Sequence, residues 1–445
     1  MPGPPSVSVS IATLTALLQT RLGDQTFWVQ PELDLYIRQA IREFQVLTNY
    51  WRTPVQLVTA PNAAFYDLAA TGVIPYNAVD LDILNQVGYH LLEFDGTQSS
   101  PINTQQFVID ALTTAFSLRR QEILGETRLV VQEYAGNAPG PPPGTGRLTL
   151  SSGVLQVHRV EWFDVPSGLW NLVSRSDELG AYGWAPGWPQ AQIPNTPGAY
   201  SSSLTPPFQL QFIPPPQNTG YASILITACN LYSYTGLPQL VGLPDDSVYA
   251  LPWGILASML NQDAQSRDYK RAMYAQMRFR RALEILKTWP CVLNTYPAGL
   301  QYLPSTLYAL DHWAGGWRNQ TPASPNVVAI GGRNLVACSP VPDQIYDIEL
   351  DCVVNSPAST VSRNTNFDMA GDIVDAILGN GYHLAAFKLQ GQEWEATTDL
   401  YKEFLGVAQA YADRERAQSI NWKDLLGVTV EENAEKPYEA EKVEV

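Results

Sequence analysis

A change of hydrophobic period partway along the chain restricts the possible folds more than any other feature. Leu33, Tyr36, Ile37, Ala40, Ile41, Phe44 and Leu47 recur at helical spacing within residues 31 to 52, with Pro31 suited to a first turn. Glu32, Arg38, Gln39, Arg42 and Glu43 occupy the opposite face, which describes a helix half buried and half solvated. From Arg147 to about Tyr234 the pattern turns to short strands: Leu148 to Leu150, Val154 to Trp162, Phe208 to Ile213 and Ala222 to Thr227. Proline and glycine break these runs at close intervals.

The two periods together predict an α+β chain: a helical bundle with an inserted β-rich domain and a C-terminal α+β unit. Residues 1–126 form the N-terminal helical region, with helices expected over 8–23, 31–52 and 104–124. Residues 127–243 are the β-rich insertion, entered through the loop GNAPGPPPGTG at Gly136 to Gly146, which holds neither helix nor interior strand. Residues 244–289 complete the bundle, with Asp245, Asp246 or Ser247 expected to cap a helical region from Val248 to Trp289 and Pro252 in its first turn or kinking it. Residues 290–343, rich in Pro, Gly, Asn and Trp, read as a connector. Residues 344–428 are the C-terminal unit, with strand alternation over 345–354 and helices over 367–388 and 396–418. Residues 429–445 hold six Glu against Lys436 and Lys442 and read as an acidic flexible tail.

Composition narrows the partners. Charged residues are 16% of the chain, against about 25% for a typical soluble domain, so the usual charged coat is thin. A net charge of −16 disfavours a phosphate-gripping contact with nucleic acid or docking on anionic lipid. The N-terminus Met-Pro-Gly-Pro-Pro lacks a signal-peptide pattern, and apolar runs are short, which fits a chain made in a cytoplasm with no membrane partner. Weak charge beside 34 prolines and 12 tryptophans points to apolar surface covered by large permanent interfaces, as in an assembly subunit.

Motifs for bond chemistry are missing. Neither G-x-G-x-x-G nor G-x-x-x-x-G-K-[ST] occurs, nor a G-x-S-x-G elbow, so the chain is expected not to be an enzyme and to use no cofactor. His90, His158, His312 and His383 stand apart without metal-ligand spacing, and Cys229, Cys291, Cys338 and Cys352 fit reduced, buried thiols. The acidic pairs Glu93/Asp95 and Asp177/Glu178 read as loop residues and Asp245/Asp246 as a helix cap.

Two features remain as candidate contact sites. Arg267, Arg271, Arg278 and Arg281 fall at i, i+4, i+11 and i+14, one narrow helical stripe in a segment of net charge +5. The stripe is either a solvated face, a partner-docking face or a DNA-facing surface. Trp184 and Trp188 lie in a long irregular stretch, Ser174 to Pro207, of the kind that is ordered against a neighbour. With Trp162 and Trp170 they serve either core and subunit packing or a stacking platform for sugar rings.

Several runs, in order, resemble a family of tailed-phage virion proteins of the head–tail connector, adaptor or neck kind. They are QPELDLYIRQAIREFQ, FVIDALTTAFSLRRQEILGETRLVV, VHRVEWF, LVSRSDELGAYGW and PPFQLQFIPPP with Gly220. They continue with GLPDDSVYALPWGILASMLNQDAQSRDYKRAMYAQMRFRRALEIL, ALDHWAGGW, NLVACSPVPDQIYDIELDCVV and GYHLAAFKLQGQEWEATTDLYKEFLGVAQAY, together spanning about residues 28 to 412. The resemblance implies a ring of about twelve copies at the head–tail junction of the virion, bound to the portal protein and to tail or neck proteins. Double-stranded DNA would pass through the lumen without sequence-specific binding. An acidic or neutral lumen suits that passage, because it forms no ion pairs with phosphates. Within this reading the arginine stripe is expected at the portal or an adjacent copy, and the Trp184 and Trp188 loop at a subunit or tail contact. The chain is longer than small helical adaptors, so a neck, nozzle or receptor- and carbohydrate-binding role for the Trp-rich β region stays open beside it.

Overall fold

A computed structural model describes residues 6–23, 27–72, 74, 76–91, 106–134, 138–139, 146–177, 196–203, 205–216, 220–229, 239–261, 268–297, 303–389 and 391–418. The architecture is mixed α+β, as the two periods predict.

Helix α2 (Gln30–Thr48) is the axle of the bundle. Its apolar face, Leu33, Tyr36, Ile37, Ala40, Ile41 and Phe44, is fully buried, as the repeat requires, but the opposite face is not in solvent as expected: Glu32, Gln39, Arg42 and Glu43 are buried too, because neighbouring helices cover the polar side and supply its partners. It packs against α1 (Ile11–Leu22), α3 (Asp80–His90), α6 (Tyr269–Thr288), α9 (Gly371–Ala386) and α11 (Thr398–Gln418). Ser10 caps α1 by accepting the Thr13 N–H at 3.1 Å, and Gly23 at φ +71° ends it. α4 (Gln106–Thr127) lies on α5 (Ala250–Leu260) and α6, which pack closely on each other.

The helical region expected from Val248 to Trp289 is therefore two helices. Pro252 sits in the first turn of α5, and Asp268 restarts the chain by accepting the Arg271 N–H at 3.0 Å. Asp245, Asp246 and Ser247 belong to a 3-10 turn that makes no side-chain cap. Both aspartates are buried and face across the fold: Asp245 accepts the Ala78 N–H at 2.6 Å, and Asp246 accepts the Ser356 N–H at 2.7 Å and its hydroxyl at 2.6 Å. Burial is the first cause of their raised carboxyl pKa values, with these bonds opposing it; Asp245 is pushed up to about 6.

The β insertion is one curled sheet. In spatial order it runs β4 (Gln132–Glu133), β11 (Gly220–Ala228), β7 (Val154–Asp164), β8 (Leu169–Arg175), β9 (Ala199–Ser202), β10 (Gln209–Ile213) and β6 (Arg147–Thr149), with β5 (Ala138–Pro139) on β11. Its interior is hydrocarbon: Leu150, Val154, Val160, Trp162, Phe212 and Ile224. At Gly220 any Cβ would run into the Trp162 ring and the Phe163 carbonyl, so only glycine lets β11 close on β7.

Residues 290–343 carry strands where an irregular connector is expected. β12 (Val292–Pro297) pairs with β16 (Asp347–Val353), which also pairs with β2 (Arg52–Val58). β13 (Leu303–Thr306), β14 (Val327–Gly331) and β15 (Leu335–Ser339) line up with β3 (Phe65–Asp67), and α7 (Leu307–Trp313) joins β13 to the loop before β14. These strands are short, and their sheets are completed by β2 and β3 from residues 52–67, paired with β16 and β15, so no local alternation announces them. Cys291, Cys338 and Cys352 are buried free thiols between the two sheets, and Cys229 is buried against the bundle. Burial pushes the thiol of Cys291 up to about 11.

Within the C-terminal α+β stretch, β16 joins these sheets while α9 and α11 pack on α2, with one-turn α8 (Pro357–Thr360) before α9 and short α10 (Gly391–Glu395) between α9 and α11. β1 (Ser6–Val9) pairs antiparallel with β17 (Phe367–Ala370), Ser6 opposite Ala370 and Val9 opposite Phe367.

Candidate functional site

Several charged groups of the bundle are paired inside it. Arg278 projects from α6 into the core and donates to both Glu43 carboxylate oxygens, at 2.9 and 2.8 Å. Tyr401 from α11 and Asn380 from α9 donate to the same carboxylate at 2.9 and 3.1 Å. The guanidinium lies 3.7 Å from the Tyr401 ring centroid and 4.5 Å from that of Trp253. Burial works against its charge, and Glu43 with Tyr401 outweighs it, so the Arg278 pKa is raised. The cluster extends through Tyr274, which accepts from Arg278 at 2.9 Å and meets His383 Nε2 at 2.6 Å; His383 Nδ1 lies 2.7 Å from the Thr397 hydroxyl. Burial, then Arg278, holds His383 down to about 3, so it stays neutral.

A second cluster sits about three turns nearer the start of α2. Lys388 and Tyr36 donate to Glu32 at 3.0 and 2.8 Å, and Arg271 donates to the His90 carbonyl at 2.8 Å while its guanidinium lies over Phe387 at 4.5 Å. Burial raises Glu32 against the pull of Lys388, and burial with Arg271 lowers His90. These carboxylates and imidazoles are sealed among helices, and among the described residues no group of His, Cys, Asp and Glu could hold a metal ion. The arrangement cross-links helices and offers no reactive group to a substrate.

The expectation for the arginine stripe is corrected on this geometry. Arg271 and Arg278 are 1% and 3% exposed and cannot form a docking face of the folded chain. Arg281 is exposed, and Arg267 lies outside the described residues. The stripe does not come together as a surface because Ala272, Ala275, Phe279 and Ala282 turn the same side of α6 inward. What α6 leaves in solvent is Tyr269, Met273 and Met277, 60%, 55% and 56% exposed at successive i, i+4 positions, flanked by exposed Lys270, Arg280 and Arg281. The small alanines opposite this row were the legible signal for it.

Trp184 and Trp188 lie outside the described residues, as do Glu93, Asp95 and Glu178. Trp162 is buried in the β core, which settles it as packing. Trp170 instead faces outward in a cross-strand row with Phe163 and Tyr221, at centroid separations of 5.0 Å for Trp170–Phe163 and 6.3 Å for Phe163–Tyr221. Arg318 stacks on Trp170 at 3.9 Å, and Val165, Leu169 and Leu172 leave large apolar surface around the row. Among the described residues no helix is long and apolar enough to cross a membrane.

No protein-family model and no curated protein matches the chain.

Proposed function

We propose that the chain is a non-enzymatic structural subunit of the tailed-phage head–tail junction, joining portal protein to tail or neck proteins in a ring open to DNA. The observation that carries this reading is the α6 row of Tyr269, Met273 and Met277, three large apolar side chains more than half exposed on one helix of a weakly charged chain. Such a row is suited to burial by another protein, with exposed Arg281 beside it, while Lys270 and Arg280 are already paired with Glu395, Glu122 and Glu126. A twelvefold ring, the portal contact and a virion location follow from the resemblance of the ordered sequence runs.

Mass photometry and negative-stain imaging of the purified chain, with and without portal protein, test the proposal. A ring that forms on portal and is weakened by Met273→Glu with Met277→Glu is expected. A chain that stays monomeric in both settings, or is absent from virions, overturns it.

The outward row of Tyr221, Phe163 and Trp170 favours a second reading, a tail-side receptor or carbohydrate binder. Glycan-array binding lost on substitution of Trp170, Trp184 or Trp188 would select that reading over the connector.

A further inference from the structure

An open cleft of about 650 Å3 lies where the β insertion meets α7 and β14. Its charged wall residues are Arg128, Arg159, Arg175 and Asp311. Asp311 is already held by Arg159, at 2.7 Å, and Arg159 also binds Glu161 at 2.5 Å. Arg128 and Arg175 are exposed and have no ion pair among the described residues. The wall therefore carries two guanidiniums in excess, on a chain whose net charge is −16.

Arg128 is held there at a cost. It follows α4 at φ +55°, the left-handed position that glycine or asparagine fills most easily. The segment is pinned from below. A Cβ on Gly332 would meet the Arg128 carbonyl at 2.8 Å, and the Arg333 N–H donates to the Leu129 carbonyl at 2.7 Å. A cation in a strained position, on the wall of a cleft that offers it no anion, is a feature whose partner lies elsewhere. Tyr308 and Leu172, 83% and 42% exposed, add apolar surface to the same cleft.

We infer that this cleft receives the glutamate-rich stretch from Glu431 through Glu444 of the same copy of the chain. Guanidinium forks match carboxylates, and that stretch offers Glu431, Glu432, Glu435, Glu439, Glu441 and Glu444 against Lys436 and Lys442. It also carries Tyr438 and Val443 for the apolar wall. A nucleic acid is a poorer fit, since two spare cations grip few phosphates and the rest of the chain repels them. Reach is no obstacle: the 27 residues after Gln418 extend to about 90 Å, while a compact body of this chain length has a radius of gyration of about 20 Å. Tethering raises the effective concentration, so a few ion pairs suffice. The inference does not depend on the connector reading.

Hydrogen–deuterium exchange of the full chain tests it with four proteins: wild type, Arg128→Glu with Arg175→Glu, Glu431→Lys with Glu432→Lys, Glu435→Lys and Glu439→Lys, and the combination of both sets. Residues 431–444 are expected to exchange about tenfold more slowly in wild type than in either single set, and to regain protection in the combination. Protection in wild type is expected to be unchanged on dilution, as tethering within one copy requires, and protection that is lost on dilution overturns the inference. Equal exchange in all four proteins, protection that survives the cleft reversal, or no recovery in the combination overturns it.

Discussion

The helical bundle and the β insertion are two solutions to building a core from one chain. The bundle joins helices from residues 11–48, 80–90, 106–127, 250–288 and 371–418, and at its centre it places ion pairs: Arg278 with Glu43 and Lys388 with Glu32. The β insertion draws on residues 132–228, fills its centre with hydrocarbon and Trp162, and keeps its charges at the seam with α7, where Arg159 and Arg318 share Glu161. The difference teaches what each core must specify. A sheet sets its register by backbone hydrogen bonds and alternation, whereas packed helices can slide or rotate, and a buried pair with fixed geometry removes those alternatives.

The sharpest way to break this comparison is Arg278→Ala, which leaves the Glu43 carboxylate buried with only Tyr401 and Asn380 as donors. It should destabilise the chain by about 3–5 kcal/mol in denaturant titration, while Glu43→Leu with Arg278→Met should recover most of that loss. A mild effect of the single change would mean that the bundle does not depend on its charges. Leu210→Ala, in the hydrocarbon core, should cost about 3 kcal/mol by the same measurement, with no compensating charge pair available.

Acid sharpens the contrast. His383 has a folded pKa of about 3, below its ordinary 6.5, so the unfolded chain binds its proton first and the neutral imidazole's contribution is lost as pH falls from 6.5 toward 3. The stability advantage of wild type over His383→Gln should shrink by up to about 1.4 kcal/mol per pH unit across that window. A pH-independent difference between the two proteins would exclude this role. The smallest effect belongs to the surface: Arg280, half exposed and paired with Glu122 and Glu126, should cost about 0.5 kcal/mol or less on substitution by alanine.

Helices with one clean face were readable from sequence. α2 shows the full repeat, with Pro31 in its first turn as expected, although the burial of its polar face was not legible. Strands β7, β10 and β11 were readable because proline and glycine bracket them. α6 was misread on its charge. Both of its sides carry arginine, and Arg278 is stabilised inside by Glu43, a residue 235 positions away that no local pattern connects to it. The same distance hid the sheets of residues 292–339, whose partners β2 and β3 lie near the start of the chain. The cleft was invisible for a related reason, since Arg128 and Arg175 become neighbours of one cavity only when the insertion folds back on β14.

The pairing of β1 with β17 sets a timetable. Strand β1 at residues 6–9 is made long before its partner at 367–370, whereas α1 has α2 to pack on soon after it is made. The β insertion has all of its strands by residue 228 and can close while translation continues, whereas the pairing of β1 with β17 waits for residues 367–370.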